Sequence, residues 1–399
     1  LAAWGMGYLA GWSAAGAALL GLALTGLCTR GAIWGVLALL LAGSRPAWRR
    51  DLMTWGAARE ACARMGRGLA LVGLAALPGL YGLLVPEDEQ DALIYHLGLP
   101  WQLLQSHRAV VSWVPAAFHL PLPLDLGFMV PLLLGEERLA KWLVWGAFWA
   151  GTAAWVGVRR PAGKGAWLGT VLLLATGQVL ELMTRGKNDI AGVALCAGGA
   201  ALAGRGAWPG AALLWGLAIA AKPVYGPWVA IMALVAPPPS SRRRTIGLLA
   251  LATLWILPWW VKAWLATGSP VYPLAADVFG SFDWDARNAE TFRTYAHGLW
   301  WPDTLRAADL PWAWVTHMSA RHAVLMLLLP GVLLLGRERR VAWACVGAQV
   351  VTLGLGHHLR YLLPGVWVLL QLAGEEKERL PWRWASRGSI AATITLATV

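Results

Sequence analysis

Apolar runs long enough to cross a lipid bilayer recur from one end of this sequence to the other, and short basic segments separate them. A spanning helix needs about 20 mainly apolar residues, about 17 at the short end. Candidate spans fall at about 8–28, 30–44, 68–86, 139–158, 165–183, 190–204, 207–221, 223–236, 245–266, 322–336, 341–356, 361–373 and 387 onward. In hydrocarbon the backbone polar groups must be satisfied within the chain, so runs of this kind fold as helices. The pattern predicts an all-α integral membrane protein of about 12–13 transmembrane helices. Composition agrees: 58% of the 399 residues are apolar and 14% charged, where a soluble domain carries about 25% charged residues. A water-soluble globular enzyme and a disordered chain are both excluded on that ground.

The net charge of +12 does not point to nucleic acid once its distribution is followed. Basic residues collect in alternate segments: Arg45, Arg49, Arg50, Arg59, Arg64 and Arg67; then Arg159, Arg160 and Lys164; Arg205; Arg242, Arg243 and Arg244; Arg337, Arg339 and Arg340; and Lys377, Arg379, Arg383 and Arg387. Placing all of these in the cytoplasm lets the spans alternate without conflict, as the positive-inside rule requires. Most of the acidic residues then fall on or near the outer face.

This sidedness divides the chain into 1–67, with two extra spans and a basic cytoplasmic loop; a core at 68–373 with long outer loops at 86–141 and 268–321; and 374–399, a cytoplasmic segment leading into a further span. The apolar piece 124–134 cannot be a span without moving Arg159 and Arg160 outside. It reads as a helix lying on or dipping into the outer interface. Pro209, Pro223, Pro227, Pro258, Pro330 and Pro364 fall inside spans, where neighbouring helices can satisfy the freed backbone groups. Cys28, Cys62, Cys196 and Cys345 form no CxxC and no His/Cys cluster; Cys62 falls in a basic loop, and the three in apolar runs read as small packing residues. The first residue is Leu1, and the last, Val399, falls in an apolar stretch, an arrangement expected of a fragment.

Three groups of residues could carry chemistry. Glu87, Asp88, Glu89 and Asp91 crowd the outer end of the third span. A carboxylate there can serve as a general base for a hydroxyl or amine, or face a cation or metal; a solvated acidic loop end explains the same charges. Asp91 and Tyr95 share a face at helical spacing. Arg185, Lys187, Lys222, Lys262 and Arg360, with His357 and His358, form a second group at the outer ends of spans. Charges there pair with something, either a lipid phosphate or nearby acids such as Glu181 and Asp189. The third group is Tyr272, Asp283, Asp285, Arg287, Arg293, Tyr295, His297, Trp300 and Trp301 in the second outer loop. Its aromatic and acidic mixture suits a sugar site or an interfacial aromatic belt.

Four pieces then resemble a known family: Asp91-Ala-Leu-Ile-Tyr95-His96-Leu97 with Pro100 beyond it; Thr184-Arg185-Gly-Lys187-Asn188-Asp189; Gly268-Ser-Pro270-Val-Tyr272-Pro273; and Arg360-Tyr361-Leu-Leu-Pro364. In order and placement they resemble the GT-C superfamily of polytopic glycosyltransferases, on the bacterial branch distantly similar to the protein mannosyltransferases and the aminoarabinose transferases. The resemblance covers about 68–373 and implies transfer of a sugar from a polyprenyl-phosphate donor, with inversion, at the extracytoplasmic face of the bacterial inner membrane. It implies Asp91 as the catalytic carboxylate, with Asp88 a competing assignment. Arg185, Lys187, Lys222 and Arg360 match the cations that hold the donor phosphate, and Tyr95, His96, Tyr272 and Tyr361 are the corresponding substrate-binding candidates. Some relatives need a divalent metal and others do not. The expected partners are membrane lipid and the lipid-linked sugar, with no nucleic acid. A catalytically silent GT-C-like subunit of a larger membrane assembly is the alternative. A transporter or flippase fits less well, because its polar groups would sit near the bilayer midplane and its sequence would show inverted repeats.

Overall fold

The computed structural model describes residues 2–44, 67–109, 119–159, 166–236, 242–272, 276–280, 284–291, 309–336, 338–355 and 359–375. Every regular element among them is helical. In chain order the helices are α1 (Ala2–Leu24), α2 (Arg30–Ser44), α3 (Arg67–Leu84), α4 (Gly98–Ser106), α5 (Met129–Leu133), α6 (Arg138–Arg159), α7 (Ala166–Leu174), α8 (Gly177–Leu182), α9 (Asp189–Ala203) and α10 (Trp208–Ala221). There follow α11 (Gly226–Val235), α12 (Arg242–Thr253), α13 (Leu257–Thr267), α14 (Ala276–Phe279), α15 (286–291), α16 (Leu310–Arg321), α17 (Ala323–Leu335), α18 (Arg339–Leu355) and α19 (Leu363–Glu375).

Two helices make the centre. Every residue of α9 is buried, and α19 is buried from Leu363 to Gly374. A helix apolar on all sides belongs in the middle of a large bundle. The sequence of α9 is built mainly of Ala and Gly, which lets neighbouring backbones come close. A Cβ added at Gly192 would fall 2.4 Å from the Tyr225 ring, and one at Gly151 of α6 would fall 2.6 Å from Ala194. Helices α6, α10, α11 and α19 all pack on α9, and α7 packs on α19.

The expected boundaries shift in physically interpretable ways. The run at 165–183 is broken between α7 and α8, where Thr176 takes an extended backbone and its hydroxyl donates to the Leu172 carbonyl. The run at 245–266 starts earlier, at Arg242, and is interrupted by a 3-10 turn at Leu254–Ile256 just before Pro258. Pro209, Pro227 and Pro258 lie in the first helical positions of α10, α11 and α13, where a missing N–H costs nothing; Pro223 likewise opens a 3-10 turn. Pro364 is the second residue of α19. Of the prolines singled out, Pro330 sits within a helix, and Pro78 in α3 joins it. The piece 124–134 is too short to span: a 3-10 turn at Asp125–Phe128 runs into α5, and the turn is wholly buried against α1.

The bundle has two chemically different ends. Arg159, at the close of α6, pairs with Glu375 at 3.0 Å and Glu338 at 3.3 Å. Lys141, near the start of α6, lies about 27 Å away by helical rise. The acids and cations singled out from sequence gather at that second end. The basic residues 45–66, Arg160, Lys164, Arg337, Lys377, Arg379, Arg383 and Arg387 lie outside the described residues, as do Cys62 and the run from 387.

Candidate functional site

The site is built where helices stop. The last carbonyls of α3 have no partner inside their own helix. Lys141 Nζ supplies one, donating to the carbonyls of Gly82, Val85 and Pro86 at 3.0–3.2 Å. That pins the start of the 86–141 segment to α6. Glu87 is buried next to it, 3.9 Å from Lys141, and accepts the Gly186 N–H at 2.6 Å. Glu87 is therefore a structural clamp between two loops.

The next residues turn inward. Glu89 Oε2 accepts the N–H of Ala92 at 2.7 Å and caps the turn that follows. That turn, Ala92–His96, is a π-helix, not the α-helix that the sequence spacing assumes. Within it the Tyr95 and His96 rings lie with centroids 4.2 Å apart, tilted at 39° to one another. Single π turns frequently mark functional sites.

Asp91 stands at the start of this turn between two cations. Arg360 donates to its Oδ2 at 3.0 Å across a sequence separation of 269 residues, and Lys187 Nζ lies 3.5 Å from the same oxygen. Lys187 also pairs with Glu89. Burial raises the Asp91 carboxyl, but Arg360 and Lys187 outweigh it and hold it below the usual carboxylate range. One step deeper, Asp189 at the N-terminus of α9 accepts from Lys222 Nζ at 2.6 Å and lies 3.8 Å from Arg360 Nε. The positive end of the helix dipole favours a carboxylate there. Tyr361 lies beneath both cations, its ring 5.9 Å from Lys222 Nζ and 5.6 Å from the Arg360 guanidinium carbon.

Beneath this layer lies a buried polar pair. His96 Nδ1 is 2.8 Å from Asp125 Oδ1, and Asn188 Nδ2 donates to Asp125 Oδ2 at 2.9 Å. Burial pushes His96 well below, and Asp125 well above, their ordinary values. Burial thus disfavours the charged form of each, and the contact between them satisfies both. Among the described residues, His96 Nε2, Asn188 Oδ1, Asp189 Oδ2 and Arg360 Nε are buried without a hydrogen-bond partner. Such orphaned atoms ask for a water or a ligand group.

The structure thus brings Asp91, Lys187, Lys222, Arg360, Tyr95, His96 and Tyr361 to one place. Asp88 lies at the rim, paired with Arg185 and largely exposed. Hydrogen bonding and charge from Arg185 lower its carboxyl below the ordinary value. The Tyr272 ring packs edge-on against His119 at 5.3 Å and Trp284 at 5.4 Å. Lys262 is buried over the Trp259 ring. Asp285 caps the short α15 by accepting from the Asn288 N–H. Asp283, Arg293, Tyr295, His297, Trp300, Trp301, His357, His358 and Pro273 lie outside the described residues.

Asp125 and Asn188 are the members that sequence reasoning passed over. The signal for Asp125 was present, since it is the one acid within the apolar piece 124–134. A lone carboxylate among apolar residues is costly and needs a partner. No group of three or more His, Cys, Asp or Glu among the described residues is arranged to hold a metal ion. The four loop carboxylates are taken up two by two, Glu87 and Asp88 by Arg185 and Glu89 and Asp91 by Lys187.

No family model matches this chain, nor does any curated protein or solved structure.

Proposed function

We propose that this chain is a polytopic membrane glycosyltransferase of the GT-C type, moving a sugar from a polyprenyl-phosphate donor to an acceptor at the extracytoplasmic face of the bacterial inner membrane. The observation that carries the reading is the meeting of Asp91, Lys187 and Arg360, from three distant parts of the chain, at one end of the bundle. A lipid-linked donor cannot leave the bilayer, so its enzyme needs its reacting groups at a membrane surface. The departing phosphate needs preorganised cations. Arg360 binds Asp91 through one terminal nitrogen, and its Nε, 3.8 Å from Asp189, makes no hydrogen bond among the described residues, so the guanidinium has donors left for a phosphate. Lys187 and Lys222 add point charges on either side.

Asp91 is held too low to be a strong base. Its part is to orient the acceptor hydroxyl and to offset positive charge developing at the anomeric carbon. Arg185 with Asp88 forms the rim through which the donor headgroup enters.

Membrane insertion is part of the same proposal. On length and composition, α1 is long and apolar enough to cross a bilayer. Helix α3 adds an outward stripe of apolar side chains, with Leu71, Leu74, Leu77, Tyr81 and Leu84 all exposed. In water such a stripe is a liability, whereas lipid covers it without cost.

One observation favours a second reading, the silent subunit of a larger assembly. Lys141, Arg185, Lys187, Lys222 and Arg360 are matched by Glu87, Asp88, Glu89, Asp91 and Asp189 of the chain itself. The deciding experiment is transfer from a panel of polyprenyl-phosphate sugars by purified protein, alongside undecaprenyl phosphate binding. Asp91→Asn is expected to lower transfer at least about 100-fold while keeping lipid binding, the scale of losing one preorganised electrostatic contact to the transition state. Arg360→Gln is expected to weaken binding itself. Full transfer by Asp91→Asn, or no transfer by the parent protein with any donor, would sink the enzymatic reading.

A further inference from the structure

At the end of the bundle away from Asp91, α11 and α17 finish and α18 begins, and the three enclose an open groove of about 820 Å³. Its apolar wall includes Leu234, Leu333, Leu334 and Trp343, and its rim carries Arg339 and Arg340. The wall is unusually bare: Leu234 is 84% exposed, Leu334 66% and Trp343 54%. On α18, Arg339 and Trp343 are four residues apart and Arg340 and Trp343 three, so both guanidiniums share a face with the indole.

Neither arginine is paired with a carboxylate among the described residues. The adjacent acid, Glu338, is taken by Arg159, and Glu375 is taken by the same residue. The groove therefore joins two uncompensated cations to a large uncovered hydrocarbon surface. A free phosphate would leave the leucine wall wet, and a neutral lipid would leave the guanidiniums without a counter-charge. A ligand with a phosphate monoanion attached to acyl chains satisfies both.

We propose that this groove binds one anionic phospholipid. The phosphate sits between Arg339 and Arg340, which offer paired N–H donors. The acyl chains run along Leu234 and Leu334, and Trp343 lies at headgroup depth, where its amphipathic ring is at home. The inference rests on the membrane reading above, with the start of α18 facing the cytoplasm. It adds a lipid site on the leaflet opposite the proposed transfer site.

The test uses the full chain purified in a neutral detergent and titrated with phosphatidylglycerol or phosphatidylcholine, with retained lipid counted by native mass spectrometry. Phosphatidylglycerol should be retained preferentially, and Arg339→Ala with Arg340→Ala should cut that preference about tenfold. Arg339→Lys with Arg340→Lys keeps the charge and should preserve most of it, which separates charge loss from misfolding. Brominated phosphatidylglycerol should quench the parent protein more than the Trp343→Phe variant. Equal retention of the two lipids, or an undiminished preference in the double-alanine variant, would overturn the groove while leaving the transferase reading intact. A chain that fails to partition into membranes at all would overturn both.

Discussion

The residue that organises the site is Asp189. It is fully buried, and both Lys222 and Arg360 lie against it. Removing one partner of a buried charge cluster leaves the others uncompensated, at a cost of about 3–5 kcal/mol. Asp189→Asn should therefore lower the thermal midpoint sharply in detergent, and adding Lys222→Met should recover a large part of the loss. A double variant no more stable than the single one would show that Lys222 does not depend on Asp189. The pH dependence belongs to Asp91. Its folded value is depressed by Arg360 and Lys187, so its stabilisation is present above the unfolded carboxylate value of about 3.9 and fades as the pH falls through the lower folded one. The stability difference between the parent protein and Asp91→Asn should stay constant from neutral pH down to about 5, then shrink on further acidification. Chemical denaturation across that range reads this directly.

At the scale of elements, close backbone packing around α9 fixes the geometry. Asp189 and Lys222 face each other because α9 and α10 form an antiparallel pair joined by a tight turn, with Gly206 at a left-handed φ of 73°. Arg360 reaches them because α19 lies against α9 and starts at the same end. Gly192→Val should disturb this register, since even a Cβ there meets the Tyr225 ring. Overpacking of this kind costs about 1–3 kcal/mol. The expected result is a lower thermal midpoint together with weaker undecaprenyl phosphate binding, passed on through the Tyr225 ring. An unchanged midpoint would mean that α9 has room to shift. The π turn at Ala92–His96 is the other decisive element, because it carries His96 down onto Asp125 while leaving Asp91 facing Arg360.

For the whole molecule, the two charged ends predict sidedness. A cysteine placed at Glu136, near the candidate site, should react with a membrane-impermeant thiol reagent applied from outside the cell. One placed at Arg205, beyond the far end of α9, should react only after the membrane is opened. Labelling of both positions from the same side would refute the multi-pass arrangement and with it the positive-inside reading.

Much of this organisation is written in the chain itself. Hydrophobic runs of helical length dictate an all-helical bundle, because a helix satisfies its backbone polar groups within its own segment. The alternation of basic and acidic segments along the sequence anticipates the two ends, and Asp91, Lys187, Lys222 and Arg360 stand out as ionisable groups beside apolar runs. Helix breaks such as Thr176 were not legible, since a single extended residue leaves the hydropathy of 165–183 unchanged. Asp125 and Asn188 were passed over because their meaning depends on a contact with His96 that no local pattern records. The same is true of the pairing itself. Sequence supplies the charges, but only the packing of α9 against α10 and α19 decides that an arginine 269 residues away neutralises Asp91. Which charges meet is a matter of long-range geometry, set by glycines and alanines that carry no charge at all.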